Sequence, residues 1–348
     1  MTSQQQMSQP PGNGGRFRAL GRLGNKAFVT LVSVATVIAV AAVTAGVVRA
    51  VVPSHGEGTK APLHSGGRVV TSLPARPMSY LGAYAHGVPS SYTPIENFAT
   101  ASGVEPNIAL YYSGWGEPFQ ATFAKQAVRH HAVPLIQIEP GTTRLREIAD
   151  GGYDAYLGSY ATAVASFGRQ TGHGVIIGFA HEPNGSWYPW GYGHAAPRVW
   201  VAAWRHIVNI FRQQGAYDVT WLWTINIIDA RHGIAAPGPW WPGPKYVTWV
   251  GIDGYYYKRT WSFAPLFGPA IKAVRKLTLD PILISETGAS PAAGKAEKIS
   301  DLFAGVRSYG LLGLVWFNVN RVRDWRIDTP ASAAAFHAGA SGFGRLAP

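Results

Sequence analysis

The chain has 348 residues, no cysteine and a formal net charge of +12. That length suits one large domain with appendages, and the missing cysteine excludes disulfides and thiolate metal centres. The basic residues form no run interleaved with aromatics, which argues against a nucleic-acid partner. The charge suits attraction to an anionic surface such as a membrane or cell wall, or simple solubility. Charged residues make up only 14%, while there are 13 Trp and 16 Tyr. Such a composition implies a large aromatic core, or a groove with flat apolar walls of the kind on which sugar rings stack.

Residues 1–26 are polar and end in the basic cluster Arg16, Arg18, Arg22 and Lys26. Residues 27–48 carry no charge, and an apolar stretch of about 20 residues crosses a bilayer as a helix. The basic tail then stays in the cytoplasm and everything after the helix lies outside. Val43-Thr44-Ala45 and Val48-Arg49-Ala50 loosely fit a cleavage pattern. A cleavable signal peptide, however, has a shorter apolar region of about 7–15 residues. The expectation is a single-pass anchor in the cell membrane, or secretion if the segment is cleaved. Residues 49–76 are rich in Gly, Pro, Ser and His and read as a linker.

From residue 77 to 346 short apolar runs alternate with amphipathic stretches. Candidate strands are 80–84, 107–112, 135–139, 174–181, 219–226, 247–255, 282–286 and 314–318. Most are continuously apolar, as parallel strands buried on both faces are. Helices are expected over 152–169, 197–214, 264–277 and 296–308. The clearest is 197–214: Pro197 suits a first turn, Trp200, Trp204, Ile207 and Phe211 share a face, and Gly215 stops it. Eight strands alternating with helices match a (β/α)₈ TIM barrel. A doubly wound sheet would need a glycine-rich turn after an early strand, and Leu81-Gly82-Ala83-Tyr84 does not supply one.

In such a barrel the working groups sit where strands end. Of the 18 acidic residues, Glu139, Glu182, Asp253 and Glu286 stand there. So do His181, Asn226, Tyr255, Trp316 and Asn318. A carboxylate at the end of a buried apolar run is costly unless it is hydrogen-bonded or put to chemical use. The segment His181-Glu182-Pro183-Asn184-Gly185-Ser186-Trp187-Tyr188-Pro189-Trp190 places a proton-transfer group beside flat stacking surfaces. Ile284-Ser285-Glu286-Thr287-Gly288 adds a second carboxylate. Two carboxylates across a barrel mouth are the machinery of glycoside hydrolysis, one protonated as acid and one ionised as nucleophile. Asn184-Gly185-Ser186 also fits a glycosylation acceptor, although a glycine turn explains it equally.

These residues resemble glycoside hydrolase family 26, a mannanase-like branch of a clan of retaining (β/α)₈ β-glycanases. The carriers are His181-Glu182 after the fourth strand, Asn184-Gly185 with the aromatics at 187, 188 and 190, and Ser285-Glu286-Thr287-Gly288. The resemblance implies Glu182 as acid/base and Glu286 as nucleophile. It also implies Tyr255 as the nucleophile's partner and Trp316 as the floor of the cleavage subsite. Retention would set the two carboxyl groups about 5–5.5 Å apart. Mannan-cleaving members usually carry a histidine near the end of strand two, whereas this chain reads Tyr111-Tyr112-Ser113-Gly114-Trp115. The substrate therefore stays open among β-mannan, mixed-linkage β-glucan and xylan, as does endo against exo action.

Substrate contacts are expected from His181, Trp187, Trp190, Tyr255, Trp316, Asn226, Trp115 and Glu139. No second histidine stands at ligand spacing from His181, so no metal or cofactor is expected. The expected form is a monomer whose partners are a polysaccharide and, through the N-terminal helix, the membrane. The alternative is a non-catalytic glycan-binding or wall-assembly protein on a degenerate barrel. Such proteins typically lose one of the paired carboxylates, and both are present here.

Overall fold

In the computed structural model, residues 73–321 and 323–343 are described. The expected basic tail, the membrane anchor at 27–48 and most of the linker lie outside them. Among the described residues no helix is long and apolar enough to cross a membrane.

The strands are β1 (Tyr80–Pro89), β2 (Ile108–Gly114), β3 (Val133–Glu139), β4 (Val175–Phe179), β5 (Val219–Asn226), β6 (Trp249–Tyr256), β7 (Ile282–Ala289) and β8 (Gly313–Asn318). They pair in parallel, each with the next, and β8 closes on β1. The helices are α1 (Thr93–Ser102), α2 (Ala121–Arg129), α3 (Leu145–Ala149), α4 (Asp154–Thr171), α5 (Pro197–Gln213), α6 (Phe263–Arg275), α7 (Lys295–Ser308) and α8 (Pro330–Ala340). This is a (β/α)₈ barrel.

All four expected helices are present. Trp200, Trp204, Ile207 and Phe211 of α5 are buried against the barrel, and Gly215 follows in a left-handed conformation. The crossover from β5 to β6 differs from the others. It contains only two short 3₁₀ turns, Ala230–His232 and Gly238–Trp240. Pro237, Pro242 and Pro244 with their neighbouring glycines break any helical run there.

Inside the barrel a lower layer of Tyr80, Ile108, Leu110, Leu135, Ile176 and Val315 packs as one apolar cluster. The end of the expected linker belongs to this floor. Leu73 packs on the cluster and its N–H donates to Thr220, while the Tyr80 hydroxyl donates to the Pro74 carbonyl. Above it the interior turns polar, with Gln137 Nε2 donating to Thr224 Oγ1 at 2.9 Å. Both are buried. The hydrophobic floor thus holds a polar upper layer, on which the strand ends stand.

The seam between β1 and β8 is tight at Gly313, which pairs with Tyr80 and has φ +152°. A Cβ there would lie 1.7 Å from the Tyr80 carbonyl oxygen. Backbone cannot yield locally, so Gly313→Ala should cost at least about 3 kcal/mol in urea unfolding. Gly116 also has positive φ, but nothing lies within 4 Å of its added Cβ. Gly116→Ala should therefore cost only about 1–2 kcal/mol, the backbone term alone.

Candidate active site

Glu182 is delivered by a strained turn. β4 ends at Phe179, two residues before the expected end, because Ala180 (φ +46°) and Glu182 (φ +53°) enter the left-handed region. For side-chain-bearing residues this costs about 1–3 kcal/mol each and persists where the surroundings enforce it. Here they do. Ala180 N–H donates to Ile138 O at 2.9 Å, and Glu182 N–H to Thr224 O at 2.9 Å. Trp200 Nε1 donates to Ala180 O at 3.1 Å and Trp190 Nε1 to His181 O at 2.8 Å. Asn184, fully buried, ties the turn to the end of β5. Its Nδ2 donates to Asn226 O at 3.0 Å and its Oδ1 accepts from Asn226 N–H at 2.8 Å. That burial leaves no room for a glycan on Asn184.

The Glu182 carboxyl accepts two N–H bonds. Asn226 Nδ2 donates to Oε1 at 2.6 Å, and Trp187 Nε1 donates to Oε2 at 2.7 Å. Asn226, expected as a substrate contact, is a buried partner of Glu182. Trp187 is half-buried and lies over Gly185, where a Cβ would meet its ring at 2.4 Å. Burial and the nearby Glu286 charge push the Glu182 pKa up to about 8, against the pull of the Asn226 and Trp187 bonds.

Glu286 reaches the interior through an irregularity in β7. Gly251 pairs with Leu283 but Asp253 pairs with Glu286, so β7 carries one extra residue beside β6. The Ser285 hydroxyl consequently donates to Asp253 Oδ1 at 2.5 Å. Glu286 itself accepts from two phenols: Tyr255 on Oε1 and Tyr112 on Oε2. Burial and the Glu286 charge hold both phenols far above the usual tyrosine range, so they remain donors. Asn226, Asp253 and Glu286 stand in one row across β5, β6 and β7. Burial, then the charges of Glu286 and Glu182, raise the Asp253 pKa well above the carboxylate range.

His181 does not hydrogen-bond Glu182 through its side chain. It is buried, and its Nε2 pairs with the Tyr188 hydroxyl at 2.9 Å, with Glu139 Oε1 4.0 Å away. Burial lowers its pKa to about 3, so the ring is neutral. Glu139, 17% exposed at the end of β3, has its pKa raised to about 7 by burial and then by Glu286. Among the described residues no group of His, Asp and Glu is placed to hold a metal ion.

Three expected sugar contacts face elsewhere. Trp316 is fully buried on the outer side of β8, edge-on to Phe336 of α8 at 5.8 Å. Its neighbour Phe317 takes the inner position and stacks on Tyr84 at 4.8 Å. Trp190 is buried behind Tyr188, stacked at 4.2 Å. Trp115 packs edge-on to Tyr153 and Tyr156 and against Phe179, on the helical side. Tyr188, one of the aromatics quoted after Glu182, takes part in the site, as do Tyr112, Phe317 and Trp325, which are not among the expected contacts. The parity of Leu110, Tyr112 and Gly114 was the available signal for Tyr112.

Residues 153–293, which contain both glutamates, match the model described as Glycosyl hydrolase family 26. Endoglucanase H of Acetivibrio thermocellus is 30% identical over 284 residues, covering 77% of this chain and 31% of that protein. The chain belongs to glycosyl hydrolase family 26. β-1,3-Xylanase TXYA of a Vibrio species is 27% identical over 113 residues, covering 31% of this chain and 22% of that one. The chain thus spans less than a third of the length of these curated relatives. The family fold is also that of a modular endo-β-1,4-mannanase from Cellulomonas fimi. The two share 14% identity at a TM-score of 0.59, over 77% of this chain and 71% of that one.

The buried carboxyls make stability pH-dependent. Glu182 has a reference pKa of 4.5 and a folded value of about 8, and Glu139 moves from 4.5 to about 7. Between those limits the folded state keeps protons that the unfolded state has lost. Their contribution is complete below pH 4.5 and disappears as pH rises towards 8. Melting temperature should therefore fall across that window, and Glu182→Gln should flatten part of the fall. A melting temperature that rises with pH there would contradict the assignment.

Proposed function

We propose that this family 26 chain is a retaining endo-β-glycanase that cleaves a β-linked polysaccharide through a glycosyl-enzyme intermediate. The observation that carries the reading is the contrast between the two carboxyls. Glu182 is dry, held by two N–H groups and kept protonated to about pH 8. Glu286 accepts from two phenols that cannot ionise at neutral pH. One is equipped to donate a proton and the other to attack.

In the first step the Glu182 proton passes to the glycosidic oxygen. The bond from that oxygen to the anomeric carbon breaks, and a Glu286 oxygen bonds to the carbon. Glu182 is then ionised, and Asn226 and Trp187 stabilise its charge. In the second step Glu182 takes a proton from water, the water oxygen attacks the same carbon, and Glu286 is released. Trp187 and Tyr84, both half-buried, supply faces for the sugar chain.

Among β-mannan, mixed-linkage β-glucan and xylan, β-glucan has the most support. The relative matched over 77% of this chain is named an endoglucanase, and the end of strand two, Tyr111-Tyr112-Ser113-Gly114-Trp115, lacks the histidine that mannan-cleaving members usually have there. The charge-free stretch at 27–48 supports anchoring at the outer face of the membrane.

Assaying the full chain on the three polysaccharides tests this reading. Reducing ends should appear fastest from mixed-linkage β-glucan. Glu182→Ala and Glu286→Ala should each lower kcat by about 10³–10⁵-fold. Glu182→Ala should lose least on an aryl glycoside whose leaving group needs no proton. Proton NMR should show the β-anomer first, and an α-anomer appearing first would defeat the double-displacement mechanism.

A further inference from the structure

We propose that Tyr112 is a positioning residue whose hydroxyl, together with that of Tyr255, fixes the plane of the Glu286 carboxylate for attack. The inference rests on the assignment of Glu286 as nucleophile.

Tyr112 and Glu286 lie on strands that are not neighbours. In the closed barrel β1 and β8 stand between β2 and β7, so the phenol reaches the nucleophile from the facing wall. Its ring has little freedom. Tyr84 meets it edge-on at 5.1 Å, His181 lies tilted at 5.6 Å and Phe317 is edge-on at 6.5 Å. A glutamate side chain has a soft terminal torsion. Removing either donor lets the carboxylate swing more freely about that bond. Donors on both oxygens, arriving from different walls, fix its plane. Attack on an anomeric carbon needs that plane, and a misplacement of about 1 Å can cost about 10²-fold.

The two phenols are not equivalent. Tyr255 is 2% exposed and is backed by Trp325 at 4.7 Å. Tyr112 is half-buried. In the glycosylation step a Glu286 oxygen bonds to the anomeric carbon, the bond from that carbon to the leaving oxygen breaks, and the leaving oxygen takes the proton of Glu182. Tyr112 keeps its own proton and its contact with the carboxylate.

Tyr112→Phe in the full chain tests the assignment, because it keeps the ring and removes only the donor. The antisymmetric carboxylate stretch of Glu286, isolated by subtracting the infrared spectrum of Glu286→Gln, should shift in Tyr112→Phe. Placing 3-fluorotyrosine, a stronger donor, at the same position should shift it the opposite way, and this protein carries the test if the phenylalanine variant does not fold. On polysaccharide, Tyr112→Phe should lower kcat about 10–100-fold with KM within about threefold. An unmoved band, or kcat within about twofold of wild type, would overturn the proposal. The infrared band needs no turnover. If the wild-type chain cleaved no glycan, the functional reading would fail while the band still decided whether Tyr112 positions Glu286.

Discussion

Glu182, Asp253 and Glu286 share the mouth of one barrel, each at most 3% exposed. Like charges so placed and so dry cannot all ionise. Much of the upper barrel answers that constraint. Asn226 and Trp187 hold one carboxyl, Tyr112 and Tyr255 another, and Ser285 the third. These five groups are neutral and stabilise charge without removing it, and Glu182 and Asp253 also share a hydrogen bond, so these carboxyls divide protons between them. On the proposed mechanism, that division separates an acid from a nucleophile. The left-handed turn at Ala180–Glu182 and the extra residue in β7 are the backbone devices that bring the groups together.

The barrel was legible because eight apolar runs with helical stretches between them leave few other closed arrangements. Glu182 and Glu286 stand out in the sequence because a carboxylate after such a run has few innocent explanations, and the structure brings both to the barrel mouth. The same continuous apolarity hid which residues face inward. A strand buried on both faces has no alternation to read, so Trp316 and Phe317 were indistinguishable in the sequence. The structure puts Val315 in the barrel floor and therefore Phe317, two residues on, in the cleft, with Trp316 among the helices. Trp190 was misread for a different reason. Its spacing after Glu182 is right, but Tyr188 is interposed, and Trp190 serves the turn through its bond to the His181 carbonyl.

Other features depend on contacts between distant positions. The Tyr112 bond to Glu286 joins residues 174 apart. His181 follows its neighbours Tyr188 and Glu139 rather than Glu182, and burial keeps it neutral. The crossover after β5, by contrast, was readable in principle, since four prolines within eight residues, Pro237, Pro239, Pro242 and Pro244, forbid a helix there. Relatives named an endoglucanase and a β-1,3-xylanase, and a structure titled an endo-β-1,4-mannanase, share part of this barrel region or its fold. Substrate choice is therefore expected from the half-buried rings around the carboxyls, Tyr84, Tyr112 and Trp187 among them, more than from the carboxyls themselves.

The most direct test of the account is to trap the covalent intermediate. The full chain would be incubated with an activated 2-deoxy-2-fluoro β-glycoside, and its intact mass and peptides would be measured. The account predicts one added glycosyl unit per chain, carried by the peptide that contains Glu286 and absent in Glu286→Gln. A label on Glu182 or Asp253, or turnover of the parent glycoside with no labelled protein, would contradict it.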